Sequence, residues 1–351
     1  MKTKIYFICP NNKFASGGVK QIYRQVETLN KNGFSAYILH KKIGKKDSWF
    51  NIDVPIKYSP LLFKKLKYLY KDKSINFFRK LTLFLLQQRS EKIGKDAILV
   101  FPEIYGPQIH SIEPDIPKVI FNQNCYYTFG YFSIYEDYKI NPYNHPNTLA
   151  TIVASEDALS YMKLAFSASN ILKMRLGVDH NIFNYSENKE KQICFMPRKL
   201  GDDVTQVISI LKQRGSLHGW KLVPIDNKSE HEVADIMKKS IFFLSFNHKE
   251  GFGLPPVEAM SCGCYVIGYR GQGGKEYFKD EFSNYVEDGN IIEFVEKIEE
   301  SIKIYEKDPH EILQKGNSAS SFILENYNIA NEENDTVTIW NKIIPQANYK
   351  K

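Results

Sequence analysis

Residues 241–269, IFFLSFNHKEGFGLPPVEAMSCGCYVIGY, contain two apolar runs separated by a polar stretch rich in glycine and proline. The two runs, 241–246 and 264–269, have the length and the aromatic and β-branched content of buried strands. Pro255 and Pro256 suit the first turn of a helix, where a missing backbone N–H costs nothing. The stretch therefore predicts a strand, a loop, a helix and a second strand, which is the repeating unit of a parallel α/β sheet.

The same alternation of strand and helix patterns recurs in both halves of the chain, on either side of a polar stretch without periodicity, residues 177–192. This pattern is typical of two parallel α/β domains, whose ligands bind at the carboxyl ends of the strands. We therefore predict two Rossmann-like domains facing each other across a cleft, 1–180 and 181–330. Residues 331–351 would form a C-terminal helix or tail, for which packing back on the N-terminal domain is one arrangement. The other predicted strands are residues 4–9, 35–40, 97–102, 118–123, 151–156, 170–176, 192–197 and 220–226.

The composition is that of a globular protein, with 43% hydrophobic and 25% charged residues among 351. The longest apolar run, near 81–86, is far shorter than the roughly 20 residues that span a bilayer, and residues 1–10 do not fit a signal peptide. The five cysteines show no metal-ligand spacing. We expect a reduced, cytoplasmic protein without a metal site, in which Asp202 and Asp203 act as a helix N-cap.

Two glutamates, Glu250 and Glu258, bracket seven residues that include Gly251 and Gly253. Glycine lets backbone approach a ligand closely, and the free N–H groups at the start of a helix attract anions or sugar hydroxyls. We expect Glu258 to lie in the first turn of the helix. The simpler interpretation is that Glu258 complements the helix dipole and that the glycines form a turn.

The segment EGFGLPPVEAMSCGC (250–264), together with the glycine-rich turn GYRGQGGKEYF (268–278), resembles the donor-binding signature of retaining glycosyltransferases of family 4, which have the GT-B fold. The resemblance implies that Glu258 accepts hydrogen bonds from both ribose hydroxyls of a nucleotide and that Glu250 faces the donor sugar. It further implies that the backbone N–H groups of Phe252, Gly253 and Leu254 line the sugar and the diphosphate.

A basic pair, Arg198 and Lys199, follows the first predicted strand of the second domain, within FMPRKLGDD (195–203). In the family, a basic pair at this point grips the diphosphate, although the two residues are usually further apart. Fixed positive charge stabilises a leaving diphosphate most strongly in the transition state, so no metal or other cofactor is expected. An exposed basic turn is the simpler interpretation.

In the first domain, Gly17 and Gly18 lie in the first strand-to-helix loop, where the family has a glycine pair close to the donor. A plain tight turn remains an alternative, and the loop lacks the spacing of a dinucleotide-binding fingerprint. Other polar candidates for sugar recognition in the cleft follow predicted strands: Glu103, Tyr105, Asn122, Gln123, Asn124, Ser155 and Glu156, the last two at a position that resembles one lining the family's cleft.

Positive charge is concentrated in residues 57–80, which hold eight lysines or arginines against one acid, Asp72. Leucines and aromatic residues recur at helical spacing through 57–92. A basic amphipathic face of this kind suits an anionic membrane surface, but a helix packed on its own sheet with solvated lysines is an equally good interpretation. No nucleic-acid partner is predicted, because the charge is confined to one segment and no reader motif is present.

The sequence thus predicts a retaining, metal-independent glycosyltransferase that moves a hexose from a nucleotide-diphosphate sugar to a glycan or lipid-linked glycan. We expect it in the cytoplasm, and as a peripheral protein at the inner face of the plasma membrane if the basic segment binds there. We expect it to act in the synthesis of a bacterial surface polysaccharide, lipopolysaccharide or capsule. Two alternatives are a non-catalytic sugar-nucleotide binding protein and a nucleotide-sugar epimerase or phosphorylase on the same fold.

Overall fold

A computed structural model describes residues 2–10, 16–44, 50–70, 76–137 and 140–349. The chain forms two compact units that are not contiguous in sequence. The first unit comprises Met1–Ala154, Ala158–Met174 and Glu333–Lys351, and the second comprises Ser155–Asp157 and Arg175–Glu332.

The first unit is built on a seven-stranded parallel sheet with the strand order β3-β2-β1-β4-β5-β6-β7. The direction of strand addition reverses between β1 and β4, and ligands of parallel sheets bind at the carboxyl ends of the strands beside such a point. The strands are β1 (Lys4–Ile8), β2 (Ser35–His40), β3 (Ile56–Tyr58), β4 (Ile98–Pro102), β5 (Lys118–Asn122), β6 (Thr148–Val153) and β7 (Ile171–Lys173).

Several helices cover this sheet with an apolar face. In α1 the buried residues Val19, Ile22, Val26 and Leu29 recur at helical spacing. The helices with residues in the first unit are α1 (Gly17–Lys31), α2 (Pro60–Tyr70), α3 (Phe77–Gln87), α4 (Glu156–Ala165) and the chain's last helix, Ile329–Tyr349, which starts in the second unit.

The second unit contains a five-stranded parallel sheet with the order β12-β11-β10-β8-β9. Strand addition reverses between β8 and β10, so the loops after these two strands emerge side by side at the carboxyl edge. The elements are β8 (Glu190–Phe195), α5 (Gly201–Gln213), β9 (Lys221–Pro224), α6 (Glu230–Lys239), β10 (Ser240–Asn247), α7 (Leu254–Ser261), β11 (Tyr265–Arg270), β12 (Ser283–Val286), α8 (Ile291–Lys307) and α9 (Pro309–Asn326), followed by α10, the helix Ile329–Tyr349.

Each unit has a core of its own. In the first, Leu39, Leu99 and Phe101 of the strands pack with Leu62 and Leu66 of α2. The second unit's core is rich in aromatic residues from β10, β11 and α8: Phe242, Phe246, Tyr269 and Phe294. The predicted parallel α/β architecture is thus confirmed, and the strands that sequence analysis missed, β3 and β12, are edge strands of three and four residues.

Candidate active site

The loop between β10 and α7 is shaped by backbone conformations that favour glycine. Gly253 precedes the first residue of α7 and has φ of 90°. A Cβ atom there would clash with the side-chain amide of Asn247 and the hydroxyl of Tyr277. Only glycine fits this position without strain, and the first N–H groups of α7, which have no partner within the helix, follow directly.

The segment after β11 fixes this loop from the other side. The buried hydroxyl of Tyr277 lies 2.8 Å from the Phe252 carbonyl oxygen and 2.9 Å from that of Gly253, so its proton can be donated to either. The backbone N–H of Gly273 donates to the Glu250 carbonyl oxygen at 3.2 Å. The predicted glycine-rich turn therefore holds residues 250–253 in place. Sequence analysis missed Tyr277, whose hydroxyl makes the tightest of these contacts.

The carboxylate of Glu250 forms an ion pair with Lys199, which lies in the loop after β8. The Glu250 side chain is 13% exposed and that of Lys199 47% exposed. Desolvation, followed by repulsion from Arg198, lowers the pKa of Lys199 to about 8. The structure thus brings the predicted basic loop and the first predicted glutamate together at the point where strand addition reverses.

Arg198 is exposed in the same loop, directly before the turn into α5. The N-cap of α5 is Leu200, in the left-handed region with φ of 48°, and its side chain packs on the second unit's core. The prediction that Asp202 and Asp203 cap this helix is therefore wrong: both lie in its first turn, where they complement the helix dipole. Within the described ranges no three His, Cys, Asp or Glu side chains cluster as metal ligands would.

Glu258 is the fifth residue of α7, one turn later than predicted, because the helix begins at Leu254. The influence of the helix dipole falls off within the first turn. The simpler interpretation of Glu258, as a complement to the dipole, is weakened by this position. Its side chain is partly exposed on a helix whose neighbouring residues, Val257 and Ala259, are fully buried.

In the first unit, several predicted residues meet in one hydrogen-bonded cluster. Gln123 Nε2 donates to the Gly18 carbonyl oxygen at 3.1 Å. The Glu103 carboxylate accepts from the backbone N–H groups of Gln123 and Asn124 at 3.1 and 3.2 Å. Glu103 is only 4% exposed, and burial raises the pKa of its carboxyl to about 7 although these hydrogen bonds act in the opposite direction. The expectation that Glu103 binds a sugar does not fit this burial, and Glu103 instead supports the loop after β5.

Asn122 is also buried rather than available to a ligand. Its Nδ2 donates to Thr128 Oγ1 at 2.8 Å inside the first unit, which corrects the prediction of a sugar contact. Asn124 uses its side chain to accept from the Tyr126 N–H at 3.1 Å. Tyr105 is partly buried and packs edge-on against Phe101. The polar residues after β5 therefore build the loop, and Tyr105 keeps part of its side chain in contact with solvent.

The remaining predicted positions lie at the starts of helices. Gly17 is the first residue of α1, and Glu156 is the exposed first residue of α4. The Glu156 backbone N–H donates to the Glu276 carboxylate at 3.1 Å, a contact within the second unit. Ser155 is fully buried beside it. Sequence analysis missed Glu276, although it lies in the quoted glycine-rich turn.

The basic segment separates into two helices of different character. Helix α2 buries Leu62 and Leu66, whereas α3, described over its whole length, buries none of its residues. Lys71, Asp72 and Lys73 of the predicted segment lie outside the described residues. Among the helices described, none combines the length and the apolar character needed to cross a bilayer. The exposed large apolar residues of α3 are Phe77, Phe78, Leu81, Phe84 and Leu85.

Known proteins similar to this chain are glycosyltransferases. The family described as "Glycosyl transferases group 1" matches residues 217–317. An alpha-1,6-glucosyltransferase of Actinobacillus pleuropneumoniae serotype 7 (strain AP76) is 27% identical over 241 residues, which are 65% of this chain and 70% of that protein.

Solved structures show the same fold at low sequence identity. Sucrose-phosphate synthase from Thermosynechococcus elongatus superimposes with a TM-score of 0.66 and 11% identity, over 98% of this chain and 100% of that one. Anabaena HepE in complex with UDP and glucose gives a TM-score of 0.65 and 11% identity, over 97% and 99%. The two Rossmann-like domains of the GT-B fold are thereby confirmed. With the matched domain and the glucosyltransferase relative, these findings support the GT-B glycosyltransferase superfamily, and the protein is a glycosyltransferase.

Proposed function

We propose that the protein is a retaining glycosyltransferase that moves a hexose from a nucleotide-diphosphate sugar to a glycan or lipid-linked glycan and needs no metal. The observation that carries this proposal is the ion pair between Glu250 and Lys199. It joins the loop after β8 to the loop after β10, at the carboxyl edge where parallel sheets bind their ligands. One carboxylate and two cationic groups then lie within a short distance of each other.

Each of these groups has a distinct role in the proposed transfer. Arg198 and Lys199 bind the diphosphate and stabilise the negative charge that grows on it as the bond to the sugar breaks. Glu250 accepts hydrogen bonds from hydroxyls of the donor sugar. Glu258 accepts hydrogen bonds from the two ribose hydroxyls, since a carboxylate has acceptor capacity for both.

The chemistry needs no covalent intermediate with the protein. The bond between the anomeric carbon and the β-phosphate oxygen breaks, and the acceptor oxygen forms a bond to that carbon on the same face. The acceptor's hydroxyl proton passes to the departing phosphate oxygen, so that nucleoside diphosphate leaves and the configuration is retained. Retention comes from the family resemblance, and the cationic pair supplies the charge that a metal supplies in other transferases.

The compared proteins support the choice of substrates. Anabaena HepE has been solved with UDP and glucose, and the Actinobacillus relative is an alpha-1,6-glucosyltransferase. We accordingly infer a uridine diphosphate hexose as donor. The product would belong to a bacterial surface polysaccharide, lipopolysaccharide or capsule.

Donor binding and slow donor hydrolysis test the proposal on the full chain. Wild-type protein should bind UDP-glucose or another nucleotide hexose and release nucleoside diphosphate on long incubation without added metal and with a chelator present. Glu258→Gln should weaken nucleotide affinity at least tenfold, whereas the control Glu300→Gln, an exposed glutamate of α8, should not. Binding without any turnover would instead indicate a non-catalytic binding protein, and unchanged nucleotide affinity in Glu258→Gln would refute the ribose contact.

We also propose that α3 docks on an anionic membrane surface at the inner face of the plasma membrane. Phe77 and Phe78 are 74% and 75% exposed, and the helix buries none of its residues. The cations near this face complement negatively charged lipid headgroups: Arg79 and Lys80 lie on α3, and Lys64 lies over the same Tyr68 ring as Arg79. An apolar face of this size in water, next to positive charge, is typical of an interfacial helix.

Vesicle flotation tests this docking. The protein should float with vesicles that contain phosphatidylglycerol, remain unbound with pure phosphatidylcholine, and dissociate as salt is raised. Phe77→Ser with Phe84→Ser should abolish flotation, while Ile134→Ser with Leu164→Ser, which removes two exposed apolar residues elsewhere in the first unit, should not. Equal loss in both double variants, or no flotation of the wild type, would contradict the proposal.

A further inference from the structure

The first unit contains a cavity of about 390 Å³ at the carboxyl edge of its sheet. Its walls come from the loops after β1 and β2, from the 3₁₀ segment after β4 and from α2. Because strand addition reverses between β1 and β4, this is where a parallel sheet of this topology binds a ligand. The volume lies within the range of small-molecule sites.

Two lysines line this cavity from different parts of the chain. Lys41 follows β2, and Lys67 lies on α2. Neither has an acidic partner in the part of the chain that the structure describes, whereas nearby Lys57 and Lys65 are paired with Glu91 and Glu113. Two ammonium groups that share one cavity, and that are not paired with an acid among the described residues, favour an anionic ligand.

Gln108 also lines the cavity, and one of its side-chain atoms has an unused hydrogen-bonding capacity. Gln108 Oε1 is buried from solvent and has no hydrogen-bond partner among the described residues. Leaving a buried acceptor unsatisfied is unfavourable, and a ligand hydroxyl would relieve this cost. The rings of Tyr105 and Tyr131 and the side chain of Phe63 supply apolar surface around it. Such amphipathic walls suit the C–H faces of a sugar or polyol.

We propose that this cavity binds the acceptor and that the acceptor is a sugar or polyol that carries a phosphate or carboxylate close to the hydroxyl that is glycosylated. Lys41 and Lys67 bind the anionic group, and Gln108 Oε1 accepts a hydrogen bond from a hydroxyl. The aromatic and aliphatic walls contact the carbon face of the ring. This assignment names the acceptor class of the transfer proposed above and rests on that proposal.

Binding of small acceptor fragments to the full chain tests the assignment by titration calorimetry. Glucose 6-phosphate and glucuronate should each bind at least tenfold more tightly than glucose, and inorganic phosphate alone should bind weakly. Whichever of the two anions binds more tightly identifies the anionic group. Lys41→Ala with Lys67→Ala should remove the advantage of the anionic sugars and leave glucose unchanged. Gln108→Leu should weaken all three sugars severalfold without affecting inorganic phosphate.

A charge-matched control separates this site from a general loss of positive charge. Lys4→Ala with Lys163→Ala removes two exposed lysines of the first unit that do not line the cavity, and it should bind the anionic sugars like the wild type. Equal losses in both double variants would overturn the assignment. So would glucose binding as tightly as its phosphate, or an isoprenyl phosphate binding more tightly than any sugar, which would assign the cavity to a lipid.

The donor reaction distinguishes failure of this inference from failure of the proposed function. UDP-glucose binding and hydrolysis are measured on the same preparations, and Lys41→Ala with Lys67→Ala should leave both unchanged. If the donor binds and is hydrolysed but the anionic sugars bind no more tightly than glucose, only the acceptor assignment is wrong. If no nucleotide sugar is bound or hydrolysed, the transferase proposal itself fails and the acceptor assignment fails with it.

Discussion

Replacing Glu103 by glutamine should change how the stability of the protein depends on pH. Burial raises the pKa of this carboxyl from 4.5 to about 7, against backbone hydrogen bonds, among them those from Gln123 and Asn124, that favour the ionised form. A carboxyl whose pKa is raised by folding binds more protons in the folded state than in the unfolded state between these two pH values. The free energy of unfolding should therefore fall as pH rises from 4.5 to 7.

The size of the effect follows from the difference between the two pKa values. At 1.36 kcal/mol for each pKa unit, a shift of this size corresponds to about 3 kcal/mol in total. By linkage, the free energy of unfolding should lose about 2.5 kcal/mol of this amount between pH 5 and pH 8. Glutamine keeps one oxygen as an acceptor for the backbone N–H groups of Gln123 or Asn124 but cannot ionise. The contribution of this glutamine to the free energy of unfolding should therefore not change with pH.

Urea unfolding of the wild type and of Glu103→Gln, each at pH 5 and at pH 8, measures this difference. All other titrating groups cancel when the two proteins are compared at the same pH. Relative to the wild type, the variant should gain about 2.5 kcal/mol in unfolding free energy on going from pH 5 to pH 8. Glu136→Gln, which changes an exposed glutamate of the same unit, should show no such gain. A difference between wild type and Glu103→Gln that is the same at both pH values would refute the reasoning.

Three further substitutions probe the donor loop, the basic pair and the first unit's core. Tyr277→Phe removes the hydroxyl that contacts the Phe252 and Gly253 carbonyls. It should lower the free energy of unfolding by about 1–3 kcal/mol in urea titrations and weaken donor binding. Unchanged stability would mean that the hydroxyl does not hold the loop. Lys199→Ala should reduce the turnover number more than donor affinity in steady-state kinetics, because its charge acts on the leaving diphosphate, and a change confined to KM would contradict this role. Trp340→Ala removes a side chain of α10 with 0% exposure and should lower the free energy of unfolding by about 3–5 kcal/mol in thermal or urea unfolding. A loss below about 1 kcal/mol would show that α10 is not part of the core.

The fold could be predicted because the apolar pattern of buried parallel strands is strong. The long strands lie within a few residues of their predicted positions. The edge strand β3 was missed because its three residues are only partly buried and carry little apolar signal. The start of α5 was predicted wrongly. Its N-cap position is taken by Leu200, whose side chain packs on the core, and not by an aspartate.

The site was only partly predictable, because a sequence pattern does not show where polar side chains direct their hydrogen bonds. Glu103 and Asn122 follow strands as ligand-binding residues do, but both side chains are buried and form hydrogen bonds inside the protein. Of the residues on which the cavity proposal rests, the sequence analysis named Tyr105 as a sugar-binding candidate but not Lys41 or Gln108. Lys41, Lys67 and Gln108 come from three separated segments, and only the strand order brings these segments to one edge.

The last helix has a consequence for the order in which the protein can fold during synthesis. Gln25 Nε2 donates to Thr336 Oγ1 at 3.0 Å in the first unit, and Trp340 packs 5.9 Å from Phe7 between ring centroids. These partners are separated by more than 300 residues and belong to the same unit. Domains usually fold in the order in which the ribosome makes them. Here the first unit must wait with an open core, and without the hydrogen bond from Gln25 to Thr336, until the ribosome has made residues beyond the entire second unit.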